Sequence, residues 1–142
     1  MADNTTCVDR APPQESNTNE QIVPDEDILN PATFIPPAPL PGPSIIIEFC
    51  DRCRWLHRAS WVSTELFITF PSPALKAITI LPHTTEKTAG RFRVWLFTQD
   101  QPPTLLWDRK VEGGFPELKV LKQRIRDKIQ PGKSLGHSDK TQ

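Results

Sequence analysis

Cysteine is scarce in this chain, with three in 142 residues. An odd, sparse set argues against the disulfide framework of a small secreted domain. No apolar run approaches the roughly 18 residues that a membrane-spanning helix requires, and Ile45–Phe49 is far too short for one. No charged segment followed by an apolar core opens the chain, so no signal peptide is expected. The closing Asp139-Lys140-Thr141-Gln142 has no cysteine for prenylation. Neither a phosphate-binding glycine loop nor a recognisable serine, histidine and carboxylate motif is present. These absences leave a reducing, cytoplasmic setting with no membrane contact as the expectation.

The formal net charge is zero, but by cancellation. Residues 1–44 hold seven acidic groups against one basic group, and nine of the sixteen prolines. Residues 45–142 hold ten acidic groups against sixteen basic. Low hydrophobicity, many prolines and one-sided charge offer too little apolar burial to offset the entropy of ordering a chain. Residues 1–44 are therefore expected to be a disordered acidic tail, stiffened towards polyproline II over Phe34–Pro43. Cys7 reads as an incidental exposed thiol. Residues 45–142 suffice for one small domain with its own core, the last ten or so residues forming a flexible extension.

Within that domain the pattern reads strand, helix, three strands, helix. Ile45–Phe49 is apolar on both faces save Glu48, which predicts a central strand covered on both sides. Trp55, Ala59, Val62 and Leu66 fall on one face of a helix that Phe70-Pro71 ends. Ala77–Leu81 is the next strand. Arg91–Phe97 alternates, with Phe92, Val94 and Leu96 on one face and Arg91, Arg93 and Trp95 on the other. Asp100–Pro103 should turn the chain into a hairpin partner over Thr104–Val111. Phe115-Pro116-Glu117 should open a last helix with Leu118, Leu121, Ile125 and Ile129 as its buried stripe. The right-handed crossover rule puts the first helix against the sheet, but the pattern leaves open whether both helices share a face.

The chemistry concentrates where the first strand ends. Cys50 and Cys53 bracket Asp51-Arg52, and a helical pattern follows. A buried strand delivering two thiols to the mouth of a helix is the layout of a thioredoxin-like redox loop. Unpaired N–H groups at a helix start favour a thiolate, Arg52, Arg54 and Arg58 act the same way, and Asp51 opposes them. Position at the strand–helix junction makes Cys50 the expected reactive thiol, with Cys53 resolving.

Several blocks carry a resemblance: Cys50-Asp51-Arg52-Cys53-Arg54-Trp55-Leu56-His57, Gly90-Arg91-Phe92-Arg93-Val94, Leu106-Trp107-Asp108-Arg109-Lys110, Gly113-Gly114-Phe115-Pro116-Glu117 and Leu135-Gly136-His137-Ser138-Asp139. In that order they resemble the Rdx family of selenoprotein W/T/H-like proteins, in a cysteine-only form, over roughly residues 45–140. The resemblance implies an α/β (α+β) thioredoxin-like fold, β-α-β-β-β-α with a mixed four-stranded sheet. It also implies thiol-based redox work with no well-defined substrate; exchange with glutathione or with protein thiols and disulfides, without a cofactor, is the expectation. Cys50 matches the family's first redox cysteine, and Cys53 stands where its selenoproteins carry selenocysteine, so the resemblance favours Cys53 as the reactive thiol where helix position favours Cys50. Where a thioredoxin sets a cis-proline against its thiols, this chain reads Thr88-Ala89-Gly90.

Other readings weigh less. Zinc would need a fourth ligand beyond Cys50, Cys53 and His57, from Cys7, His83 or His137 at unpromising spacing, so no metal is expected. His57 reads as a surface residue, Trp55 and Trp61 as core or rim, and Trp107 as hairpin packing. The basic face of the last helix (Lys119, Lys122, Arg126) lacks stacking aromatics and reads as solvated, so no nucleic acid is expected. A redox-sensitive interaction adaptor without turnover is the alternative to an exchange protein.

Overall fold

A computed structural model describes residues 28–36 and 38–139. Residues 1–27, which hold Cys7 and most of the expected acidic tail, lie outside the described residues. The chain falls into two units, Met1–Ile35 and Pro36–Gln142. In the first, Asn30 closes a turn, its Oδ1 accepting from Ala32 N–H at 3.0 Å and its carbonyl from Phe34 N–H at 2.9 Å.

The second unit carries the domain. Strand β1 (Ser44–Cys50) leads through helix α1 (Leu56–Thr69) to β2 (Ala77–His83). Strands β3 (Phe92–Thr98) and β4 (Gln101–Asp108) form a hairpin, followed by one helical turn, α2 (Arg109–Glu112), and by α3 (Leu118–Ile129). The sheet order is β2-β1-β3-β4, with β1 parallel to β2 and antiparallel to β3. This is the mixed four-stranded sheet and the β-α-β-β-β-α order that the sequence predicts.

Alternation along β1 sets the layers. Ile45, Ile47 and Phe49 point to one face and are essentially inaccessible, as are Phe92, Val94 and Leu96 of β3. Ala59, Val62 and Leu66 of α1 and Leu121 and Ile125 of α3 close over them, so both helices share that face. Leu118 and Ile129 complete the α3 stripe as partly buried neighbours, and Phe70, fully buried, caps the end of α1. Among the described residues, the opposite face, with Ile46, Trp95 and Leu81, carries no helix. The expectation of a central β1 holds: its second face carries the half-buried Ile46 and the buried Glu48 and Cys50, while Leu81 beside it on β2 is 40% exposed.

Two other boundaries shift. Strand β4 runs through Pro102 and Pro103 and stops at Asp108, three residues short of the expected end. It is an edge strand, where a missing N–H costs no ladder bond on the outer side. Asp108 ends it because its Oδ1 accepts from Lys110 N–H at 2.8 Å and Val111 N–H at 3.4 Å, starting α2. Gly113, at φ +78°, closes that turn in the left-handed conformation. Trp107 is buried beneath the core, its indole N–H donating to the Gly114 carbonyl at 2.9 Å, whereas Trp61 stands 55% exposed on α1. Within the segment expected to be a flexible extension, Gly136–Asp139 forms a 3-10 turn bound to α3 through Arg126–Asp139 and Gln123–Ser138. Among the described residues no helix is long and apolar enough to cross a membrane.

Leu66 joins the two helices to the sheet with no exposed surface. Leu66→Ala should lower unfolding free energy by about 2–5 kcal/mol, read from urea midpoints at unchanged slope.

Candidate functional site

Strand β1 ends at Cys50, in register with His83 of β2, and the chain then turns through Asp51–Arg54. Both neighbouring strands hold the departure point. Cys50 N–H donates to the Arg91 carbonyl at 2.8 Å, and Asp51 N–H to the His83 carbonyl at 2.9 Å. The turn is closed by Arg54 N–H donating to the Asp51 carbonyl at 2.8 Å. Arg54 itself adopts φ +58°, a left-handed conformation uncommon for a residue with a side chain. Helix α1 begins only at Leu56.

This places the thiols differently from the sequence expectation. Cys53 precedes the first helical residue by three positions, with a left-handed residue between, so the sulfurs are not held in the first turn of α1. The N–H groups that favour a thiolate come from the turn and from the loop before β3. The two Sγ atoms lie 2.6 Å apart, Cys53 donating to Cys50. Cys50 is 1% exposed, and Cys53 is exposed.

Burial alone would raise the Cys50 thiol. The Cys53 thiol and the backbone N–H groups of Gly90, Cys53 and Arg52 outweigh it and hold Cys50 below the ordinary thiol range. Cys53 is pushed above that range, first because its proton is donated to Cys50 and then by burial, with Gly90 N–H and the Arg109 charge acting in the other direction. The contact thus splits the pair, easing ionisation of the inner sulfur and hindering that of the outer one. Gly90, at φ +73°, faces both sulfurs through its N–H, at the place where a thioredoxin would have its cis-proline.

A second cluster adjoins this one on the open face of the sheet. The Glu48 carboxylate, 9% exposed, accepts from Trp95 Nε1 at 2.7 Å and from Arg91 Nη1 at 3.2 Å, and contacts His83 Nε2 at 2.8 Å. His83 and Arg91 are the residues whose carbonyls hold Asp51 and Cys50. Burial raises the Glu48 carboxyl, but its three partners prevail and hold it below the ordinary carboxylate range. Sequence reasoning misses this cluster as part of the site. The available signal is Glu48 itself, the lone carboxylate inside a strand of β-formers, since a buried acid requires partners. His57, considered as a zinc ligand, is exposed, and among the described residues no three histidine, cysteine or acidic side chains gather as a metal group.

Fold and thiol geometry define a thioredoxin-like domain with a Cys-x-x-Cys turn at the end of its first strand. The model of the Rdx family matches residues 44–127, more than half the chain, and the chain belongs to that family. Among solved structures it is similar to a selenoprotein W-related protein from Vibrio cholerae, 40% identical over 61% of this chain and 96% of that one, with a TM-score of 0.52. It is also similar to a protein from Bordetella parapertussis, 43% identical over 59% of this chain and 94% of that one, with a TM-score of 0.48. No curated protein matches it.

The Glu48 ties should be visible in acid. With its folded pKa lowered, Glu48 contributes stability that is fully present above the unfolded carboxylate pKa of about 4.3 and is lost as pH falls through the folded value. Glu48→Gln should cost about 1–3 kcal/mol at pH 7 and flatten the pH dependence of stability below about pH 5. Urea unfolding from pH 3 to 7 measures both, and parallel wild-type and variant profiles would contradict the assignment.

Proposed function

We propose that this protein is a thiol–disulfide exchange protein of a reducing compartment such as the cytoplasm, working through Cys50 and Cys53. The observation that carries the reading is the asymmetry of the pair: an exposed sulfur in contact with a buried one that is provided with N–H donors. In the oxidised protein, an incoming thiolate reaches Cys53 Sγ. Its electron pair forms the new S–S bond, the Cys50–Cys53 bond breaks, and Cys50 leaves as the thiolate. Departure is favoured because a leaving thiol of lowered pKa leaves faster. A second thiolate then attacks the partner sulfur of the mixed disulfide and releases Cys53 as a thiolate; the protons that the two partner thiols gave up to solvent return from solvent to Cys53 and Cys50. Two partner thiols become one disulfide, and the protein disulfide becomes two thiols. Glutathione or the thiols of another protein would serve as partner.

This assignment makes Cys53 the exchanging sulfur and Cys50 the resolving one, the reverse of the order suggested by helix position. The helix argument requires the first thiol to cap α1, and the turn at Arg54 removes that premise. The position of selenocysteine in the family's selenoproteins agrees with Cys53.

Titration against glutathione redox buffers, read by mass-tagged alkylation, should reveal one intramolecular disulfide. Cys50→Ser should trap a mixed disulfide on Cys53, while Cys53→Ser should lower the exchange rate by roughly tenfold or more. Trapping on Cys50 instead would reverse the order of attack. If no disulfide forms at any buffer ratio, exchange is excluded and a partner-binding adaptor takes its place.

A further inference from the structure

The surroundings of Cys53 hold two arginines that form no salt bridge among the described residues. Arg109 lies with its Cζ 4.7 Å from the centre of the Trp55 ring and 5.2 Å from that of Phe115. Arg58 lies over the same Phe115 ring at 3.9 Å, so one ring holds two guanidinium groups. Trp55 and Phe115 meet edge to face at 4.8 Å and fix this arrangement. Among the described residues neither arginine has a carboxylate partner, and Asp51, in the adjacent turn, pairs with neither. The Arg109 Nε is buried with no hydrogen-bond partner, and its Nη1 reaches the Gly90 carbonyl only at 3.5 Å.

Arg109 is also tied to the chemistry by position. A Cβ placed on Gly90 would lie 3.9 Å from Arg109 Nη1 and 3.5 Å from Lys110 Cε, while the N–H of Gly90 faces both sulfurs. The Asp108 carboxylate starts the turn that presents Arg109 and Lys110, and it is anchored to the sheet by Arg93 at 2.6 Å. Aromatic faces compensate two neighbouring cations only in part. An anion arriving beside Cys53 would complete what the rings leave unneutralised.

We propose that this unpaired basic rim makes the site selective for thiols and disulfides carrying a carboxylate a few bonds from the reacting sulfur, with Arg109 as the contacting cation. The inference rests on the exchange reading above and adds the chemical class of partner. The same chemistry can come from a small thiol acid or from an acidic stretch of polypeptide beside a cysteine. The bond changes are those already given for exchange.

The test uses the reduced full chain and three small symmetric disulfides: anionic dithiodiglycolate, neutral hydroxyethyl disulfide and cationic cystamine. Each rate is divided by that of N-acetylcysteinamide with the same disulfide. At about 20 mM salt the anionic disulfide should exceed the cationic one by roughly tenfold or more. At about 0.5 M the ratio should shrink to within about twofold, as screening shortens the reach of the charges. Arg109→Gln should reduce the low-salt ratio by at least about threefold, whereas Lys128→Gln, away from the site, should leave it unchanged. The salt dependence of the wild-type protein carries the test even if the Arg109 variant unfolds. Two disulfide-linked peptides, glutamate-flanked and lysine-flanked, then separate the sources. Discrimination greater than with the small disulfides supports an acidic polypeptide, and equal or lesser discrimination supports a small thiol acid. A low-salt ratio near one with neutral exchange intact overturns the selectivity and leaves exchange standing. An unchanged ratio in Arg109→Gln overturns the role of Arg109. Failure with all three disulfides removes the exchange reading and this proposal together.

Discussion

Strand β1 is shared by everything else in the domain. It alone pairs with both β2 and β3, and it alone passes from the core to the thiols. Its alternation directs Ile45, Ile47 and Phe49 under the helices and Glu48 to the open face, so one strand commits both layers at once. A shift of one residue would bury Glu48 among leucines and phenylalanines and expose the core set. The Glu48 carboxylate reinforces that register by drawing partners from β2, from the loop before β3 and from β3 itself. Its charge is held where two of the same partners carry the carbonyls that anchor Cys50 and Asp51.

The N–H donors that lower the Cys50 thiol belong to the loops. A helix N-terminus offers a diffuse partial charge, whereas N–H groups from Gly90, Arg52 and Cys53 act on one sulfur individually. The left-handed residue at Arg54 makes the difference, since it lets the turn fold back before α1 starts. Asymmetry follows. The inner sulfur gains donors and loses access, and the outer sulfur retains access and the proton. In the proposed exchange the exposed position would meet the partner thiol and the buried one would be the leaving sulfur.

Much of this is legible in the residues. The alternation of β3 and the stripe of α3 assign the core faces correctly because each depends on local periodicity and burial. The paired cysteines and the order of the surrounding motifs locate the site. What escapes depends on partners distant in the chain. Glu48 acquires its meaning from residues 35, 43 and 47 positions away. The end of β4 depends on whether Asp108 caps a turn or continues a strand, and Arg93 and the backbone of α2 together decide that. Trp55, Ala59, Val62 and Leu66 keep helical spacing, yet spacing is silent about the backbone angle of Arg54. Apolar residues on the open face do not tell whether a helix lies over it, because strand neighbours and helices both favour them.

The outer strands share a trait that the central ones lack. Strand β2 carries Pro82 and strand β4 carries Pro102 and Pro103, so the two lateral borders of the sheet each present gaps in their row of amide donors. A border without a continuous donor row is a poor template for an added strand. Growth of the sheet by lateral recruitment of extended chains is thereby discouraged on both sides. The thiol-bearing end, by contrast, presents side chains rather than a row of open backbone groups.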